Sequence, residues 1–268
     1  MRGGGPAFQG MSRHVRGQLE GLSAIVTGGT AGIGEAIVRL FRARGARVVV
    51  VARGAEAGER LVDELGADDV AFLAADVTDP GTPGAAVALA RERFGALDVL
   101  VNNAAMDYVH EIGTVPLDEV RRVMEVNFVA PLAMIQAAAP ALHARERGGA
   151  IVNVISRLAS IAVPGMNVYG AAKAALHAIT RGAAIELARA GVRVNSVAPG
   201  FTETPLMRTW LDRQPDPAEA RRVALAAIPQ GRFATPHDVA AAVAYLASPD
   251  AAHVTGASLA VDGGYTAQ

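Results

Sequence analysis

Apolar residues in this chain fall into two alternating kinds of run. Short aliphatic stretches over residues 22–27, 47–52, 70–75, 97–102, 150–155, 192–198 and 258–261 read as strands. The stretch at 47–52 is nearly pure Val, the pattern of a strand buried on both faces of a parallel sheet. Between them lie helical patterns over 33–44, 56–65, 84–94, 117–144 (one or two helices), 168–190 and 236–246. Gly45 and Gly66 supply stop signals, and Thr235 is a plausible N-cap before Pro236 at a first helical position.

This alternation predicts an α/β fold: one doubly wound domain whose parallel sheet of about seven strands carries helices on both faces. Residues 1–18 read as a flexible tail and 19–268 as the domain, with a small helical flap at about 200–229, where Pro205, Pro215 and Pro217 interrupt the pattern.

Hydrophobic residues make up 51% and charged residues 19%, a globular balance. The 25 basic and 26 acidic side chains leave a net charge of -1, so no strong field recruits nucleic acid. Having no Cys excludes disulfides, thiolate zinc sites and Cys nucleophiles; it permits a reducing compartment, and a cytoplasmic protein is expected. The longest Ala-rich stretch, 128–142, is broken by Pro131, Gln136 and Pro140, so no membrane span is expected. The first 17 residues lack the apolar segment of a secretion signal. The six His show no metal-like spacing, and no metal site is expected.

Chemistry enters with Thr27-Gly28-Gly29-Thr30-Ala31-Gly32-Ile33-Gly34, between the first strand and the first helix. Gly28 suits a tight turn, Gly32 lets backbone approach a pyrophosphate, and Gly34 lets helix pack on strand. The helix N-terminus then offers free N–H groups to phosphate. Tyr169 and Lys173 stand four apart on a predicted helix and share one face. A nearby ammonium is expected to lower the phenol's pKa toward that of a useful acid/base. Ser156 follows a strand at its C-terminal end, where doubly wound folds bind ligands, and its hydroxyl can bond a substrate oxygen.

Thr27 to Gly34, Asp76-Val77, Asn102-Asn103-Ala104, Asn127, Ser156, Tyr169-x-x-x-Lys173 and Pro199-Gly200, in this order, resemble the short-chain dehydrogenase/reductase family from about Leu19 onward. The resemblance implies a Rossmann-like fold and hydride transfer between a secondary alcohol or ketone and a nicotinamide cofactor. It implies that Asn127, Ser156, Tyr169 and Lys173 are catalytic, Asn127 through a water-mediated proton path to Lys173. Lys173 would also reach the cofactor ribose, beside Tyr169. Asp76 would bond the adenine amino group, with Val77 continuing that site. Gly28, Thr30, Gly32, Ile33, Gly34, Asn103, Ala104 and Thr202 would complete the cofactor contacts, and Pro199, Gly200 and Thr204 would face the carboxamide. Ala105, Ile155 and Gly170 depart from the family's usual residues without removing a reacting group.

NAD-preferring relatives carry an acid where this chain has Ala52. Arg53 follows, and it can pair with a 2′-phosphate or be a solvated loop charge. NADP(H) is therefore favoured over NAD(H). An apolar substrate pocket is expected between residues 106–110, 157–167 and 201–210, with Tyr108, Met166, Phe201, Met207 and Trp210 in its walls. A carrier-bound acyl substrate would resemble that of fatty-acid or polyketide ketoreductases and require a basic patch. Arg147 matches one position of it and Ile185 stands at the other, which ranks a free small molecule first. A non-catalytic nucleotide sensor would have lost Tyr169 or Lys173. A homotetramer is expected from the resemblance and from the small apolar residues of the two long helices, notably 137–139 and 171–178.

Overall fold

A computed structural model describes residues 18–143 and 148–268. Apart from Gln18, the expected tail lies outside the described residues, as do Ala144 and Arg147. Seven strands form one parallel sheet: β1 (Ser23–Thr27), β2 (Arg47–Ala52), β3 (Val70–Ala74), β4 (Val99–Asn102), β5 (Gly149–Val154), β6 (Val192–Pro199) and β7 (Ser258–Val261). Their order is β3-β2-β1-β4-β5-β6-β7. The helices are α1 (Gly32–Ala43), α2 (Ala55–Leu65), α3 (Thr82–Phe94), α4 (Leu117–Met124), α5 (Ala130–His143), α6 (Asn167–Leu187), α7 (Pro205–Asp212), α8 (Pro217–Ala226) and α9 (Pro236–Ala247).

The Val-rich β2 shows why alternation is absent from the sequence. Val48 and Val50 join one core with Ile37, Phe41, Leu61 and Val243 of α1, α2 and α9. Val49 and Val51 join a second core with Ala90, Met134, Ala138 and Ala184 of α3, α5 and α6. Both faces are covered, so every position must be apolar. The strand order reverses where β1 lies between β2 and β4. A crevice opens there beyond the strands' C-terminal ends, the place where open α/β sheets bind ligands.

One expectation is corrected along residues 117–143. The Pro residues do not break this segment: α4 and α5 join through a π-helical turn, Glu125–Val129. Pro131 falls beside that turn, where the regular ladder is already interrupted, and Pro140 sits inside α5. The resulting helix of 27 residues is long and apolar enough, by length and composition alone, to cross a membrane. Here it is built into the core through Met134, Ile135, Ala138 and Leu142.

Candidate active site

The loop from β1 to α1 forms the first wall of the crevice. Gly28 has φ +65°, and a Cβ there would lie 2.9 Å from Ala104 Cα. Asn103 braces the loop by donating from Nδ2 to the carbonyls of Thr27 (3.0 Å) and Gly28 (3.2 Å). Thr27 Oγ1 accepts from the backbone N–H groups of Asn103 and Ala104, both at 3.0 Å. No side chain caps α1 at Ala31, which leaves its first-turn N–H groups to a ligand.

The role expected for Gly34 is corrected. A Cβ there would sit 2.1 Å from the Gly28 carbonyl oxygen and 2.5 Å from Asn103 Nδ2. Gly34 therefore lets the loop close over the helix start, rather than helix pack on strand. The helix–strand contact belongs to Gly29, whose Cβ would meet Val50 at 2.9 Å and Val38 at 3.1 Å. A tight loop with no room for a side chain at Gly28 or Gly34, beside an uncapped helix start, fits the pyrophosphate of a dinucleotide.

The opposite wall comes from β5, α6 and the segment after β6. Ser156, 9% exposed, lies just past β5, and its Oγ accepts from Leu158 N at 3.1 Å, capping a short 3-10 turn. Tyr169 and Lys173 project from the first turns of α6, an Ala-rich helix whose small side chains let it lie close to the sheet. Lys173 is 2% exposed; its Nζ donates to the Val154 carbonyl at 3.0 Å and lies 5.8 Å from the Tyr169 ring centre. Burial pushes the Lys173 ammonium down to about 8.

The electrostatics of Tyr169 run against the sequence-based expectation. Its phenol is pushed up to about 12, chiefly by burial, then by the charge of Asp107, while a hydrogen bond with Ser156 lowers it less. In the chain's own field, desolvation of a phenolate outweighs any help from Lys173.

Between these walls lies a cleft of about 410 Å³. Gly28, Gly32, Ile33, Gly34, Asn103 and Ala104 line one side; Ser156, Tyr169, Lys173, Pro199, Gly200, Thr202 and Thr204 line the other. The exposed Ala105 also lines it. Met166, Phe201, Met207 and Trp210 form the apolar wall as expected, but Tyr108 does not line the cleft and stacks on His110, ring centres 6.0 Å apart. Thr30 lies in the turn outside the lining. Arg53, Asp76 and Val77 stand beyond the cleft, past the ends of β2 and β3. Asp76 Oδ1 accepts from Thr78 N (2.9 Å) and Oγ1 (2.8 Å), which hold its carboxyl below the usual range, and Oδ2 lies 3.9 Å from Arg53 Nη1.

Asn127 is fully buried in the π turn. Its Nδ2 donates to the carbonyls of Met106 (2.9 Å) and Val123 (3.1 Å), and its Oδ1 accepts from Met106 N (3.3 Å). These bonds tie the loop after β4 to the kinked helix. Two charged lining residues had no role assigned from sequence, Asp107 and Arg157. Asp107 Oδ1 is buried without a hydrogen-bond partner, and burial raises its carboxyl.

Over residues 28–266 the chain matches the family model described as enoyl-(acyl carrier protein) reductase. It is 41% identical to the 2-(R)-hydroxypropyl-CoM dehydrogenase of Xanthobacter autotrophicus, over 91% of this chain and 98% of that protein. It is 41% identical to the cis-4-hydroxycyclohexanecarboxylate dehydrogenase of Sinomonas cyclohexanicum, over 91% and 96%. With the 3-oxoacyl-(acyl-carrier-protein) reductase of Vibrio cholerae it shares 37% over 92% and 98%. The chain belongs to the short-chain dehydrogenase/reductase family, whose members work with a nicotinamide cofactor.

Proposed function

We propose that this protein is an oxidoreductase that interconverts a secondary alcohol and a ketone, with Tyr169 exchanging the proton. The observation that carries the reading is the convergence of Ser156, Tyr169 and Lys173 on one cleft with the glycine loop. The nicotinamide, when bound, supplies or accepts the hydride. Ser156 orients the substrate oxygen by hydrogen bonding. Tyr169 donates its proton to that oxygen during reduction and removes it during oxidation. Lys173 holds the ribose and favours the phenolate when charged. Asn127 positions the Met106–Asp107 loop, and a water beside it would pass the proton on toward Lys173. The names of the first two relatives point to free hydroxylated small molecules. The third relative keeps carrier-linked 3-oxoacyl reduction as the alternative, which the exposed apolar Ile185 disfavours where a basic side chain would be needed.

NADP(H) is the favoured cofactor, because Arg53 is exposed at the end of β2 where a ribose phosphate would lie. Arg53→Ala is expected to lower kcat/KM for NADPH by roughly 10- to 100-fold while sparing NADH. An unchanged ratio makes Arg53 a loop charge. The absence of Cys suits the reducing cytoplasm. A homotetramer is supported by Ala171, Ala178 and Ile185, which repeat every seven residues on α6 and are exposed; sedimentation velocity showing only a 27.5 kDa species would oppose it. The function itself is tested by a turnover screen of ketones and alcohols with NADH and NADPH, read at the nicotinamide absorbance. Failure to turn over any pair would refute it.

A further inference from the structure

One charged side chain in the cleft serves neither the glycine loop nor the proton path. Arg157 follows Ser156 directly, lines the same cleft, and is only 7% exposed. Its guanidinium carbon lies 4.0 Å from the ring centre of Phe201 and 4.0 Å from that of Tyr265. Those two rings meet edge to face, at 78°, and form a corner that holds the guanidinium. Tyr265 is held in turn by Asp262, which accepts from Gly264 N, Thr266 N and Thr266 Oγ1.

Aromatic faces stabilise a cation, but they accept none of the in-plane N–H bonds of a guanidinium. Arg157 Nη1 is buried with no hydrogen-bond partner. A buried donor left unpaired is costly, so a native site that keeps one calls for an explanation, and a ligand oxygen toward which the guanidinium turns from its aromatic corner would supply the partner. The other cation in the lining, Lys173, is committed to Val154 and the Tyr169 ring. The one carboxylate in the lining is Asp107. Phe201, Met207 and Trp210 add an apolar wall beside the guanidinium.

We propose that Arg157 is a specificity-determining residue that receives a carboxylate or sulfonate borne by the alcohol or ketone substrate. A pair of oxygens on either group matches the guanidinium fork, and a short apolar body would rest on the aromatic wall. The substrate is then a hydroxy acid or oxo acid with its reacting oxygen at Ser156 and Tyr169. This inference rests on the oxidoreductase reading above.

The test compares wild type, Arg157→Gln and Arg157→Lys in two assays. Calorimetric titration with benzoate, benzenesulfonate and neutral benzamide reads the anion site without turnover. The expected result is that wild type binds benzoate or benzenesulfonate at least about tenfold more tightly than benzamide, and that Arg157→Gln brings the affinities together. Equal wild-type affinities overturn the proposal, even if the variants fail to fold. The second assay measures kcat/KM for 4-oxopentanoate and its methyl ester. Arg157→Gln should lower the acid's value roughly 10- to 100-fold more than the ester's, with Arg157→Lys between. Equal losses for acid and ester would make Arg157 a structural strut and overturn it. If wild type turns over neither compound while preferring benzoate, the anion site stands and the turnover screen decides the oxidoreductase reading.

Discussion

On the β1–α1 side of the cleft the wall is backbone. Gly28 and Gly34 leave no room for a Cβ, and Thr27 and Asn103 brace the loop through four hydrogen bonds. On the β6 side the wall is side chain. Phe201 lies within about 6 Å of Trp210, Phe233 and Tyr265, centre to centre, and Arg157 fills the corner. A backbone wall presents the same N–H groups whatever the neighbouring residues, so it suits a constant ligand such as a dinucleotide. A side-chain wall changes with every substitution, so it suits a substrate that differs among relatives with different names. Lys173 sits where the two walls meet.

The sharpest way to break this contrast is at Gly34. Gly34→Ala places a Cβ 2.1 Å from a carbonyl oxygen of its own loop. Overpacking of this kind costs about 1–3 kcal/mol, and the loop must open to relieve it. The expected outcome in a fluorescence titration is loss of measurable NADPH and NADH binding, with a lowered melting temperature. Wild-type affinity would mean that the loop is not the rigid element described.

A second prediction concerns the junction. Burial lowers Lys173 from 10.5 to about 8. Between those values the unfolded chain binds a proton that the folded chain does not. Stability of the wild type therefore rises with pH across about 8 to 10.5, and the cost of burying the charge is complete below about pH 8. Lys173→Met carries no such proton. Its stability relative to wild type should fall by on the order of a few kcal/mol across this window, measured by denaturant unfolding at several pH values. A flat difference would place the ammonium in solvent. The same variant should lose cofactor affinity, if Lys173 holds the ribose.

The smallest expected effect is on the side-chain wall. Trp210→Ala should raise KM for a substrate by roughly 10-fold through lost apolar contact, while changing the cofactor dissociation constant by less than about threefold. A comparable change in both constants would merge the two halves into one.

The same division explains what the sequence made legible. Glycines at a strand–helix junction, and Tyr169 four residues from Lys173, declare themselves because chain spacing alone sets their geometry. The seven strands were legible because both faces of the sheet are covered, which makes each strand an apolar run. Arg157 was not, because its surroundings come from Phe201 and Tyr265, distant in the chain. Asp107 was hidden for a similar reason: nothing in Met106-Asp107-Tyr108 foretells a buried carboxyl. Spacing also misled at Tyr169, since it showed a neighbouring ammonium and could not show the desolvation that outweighs it. Prolines at 131 and 140 read as breaks because sequence does not show a π turn taking up the first of them.

The central claim is that Tyr169 moves the proton in a site otherwise built to bind. Tyr169→Phe removes the hydroxyl and little volume, so the most direct measurement is its kcat, with any substrate found in the screen, beside its cofactor dissociation constant. The account predicts a fall in kcat of about 10²- to 10⁴-fold with the cofactor constant nearly unchanged. A kcat within about threefold of wild type would contradict it.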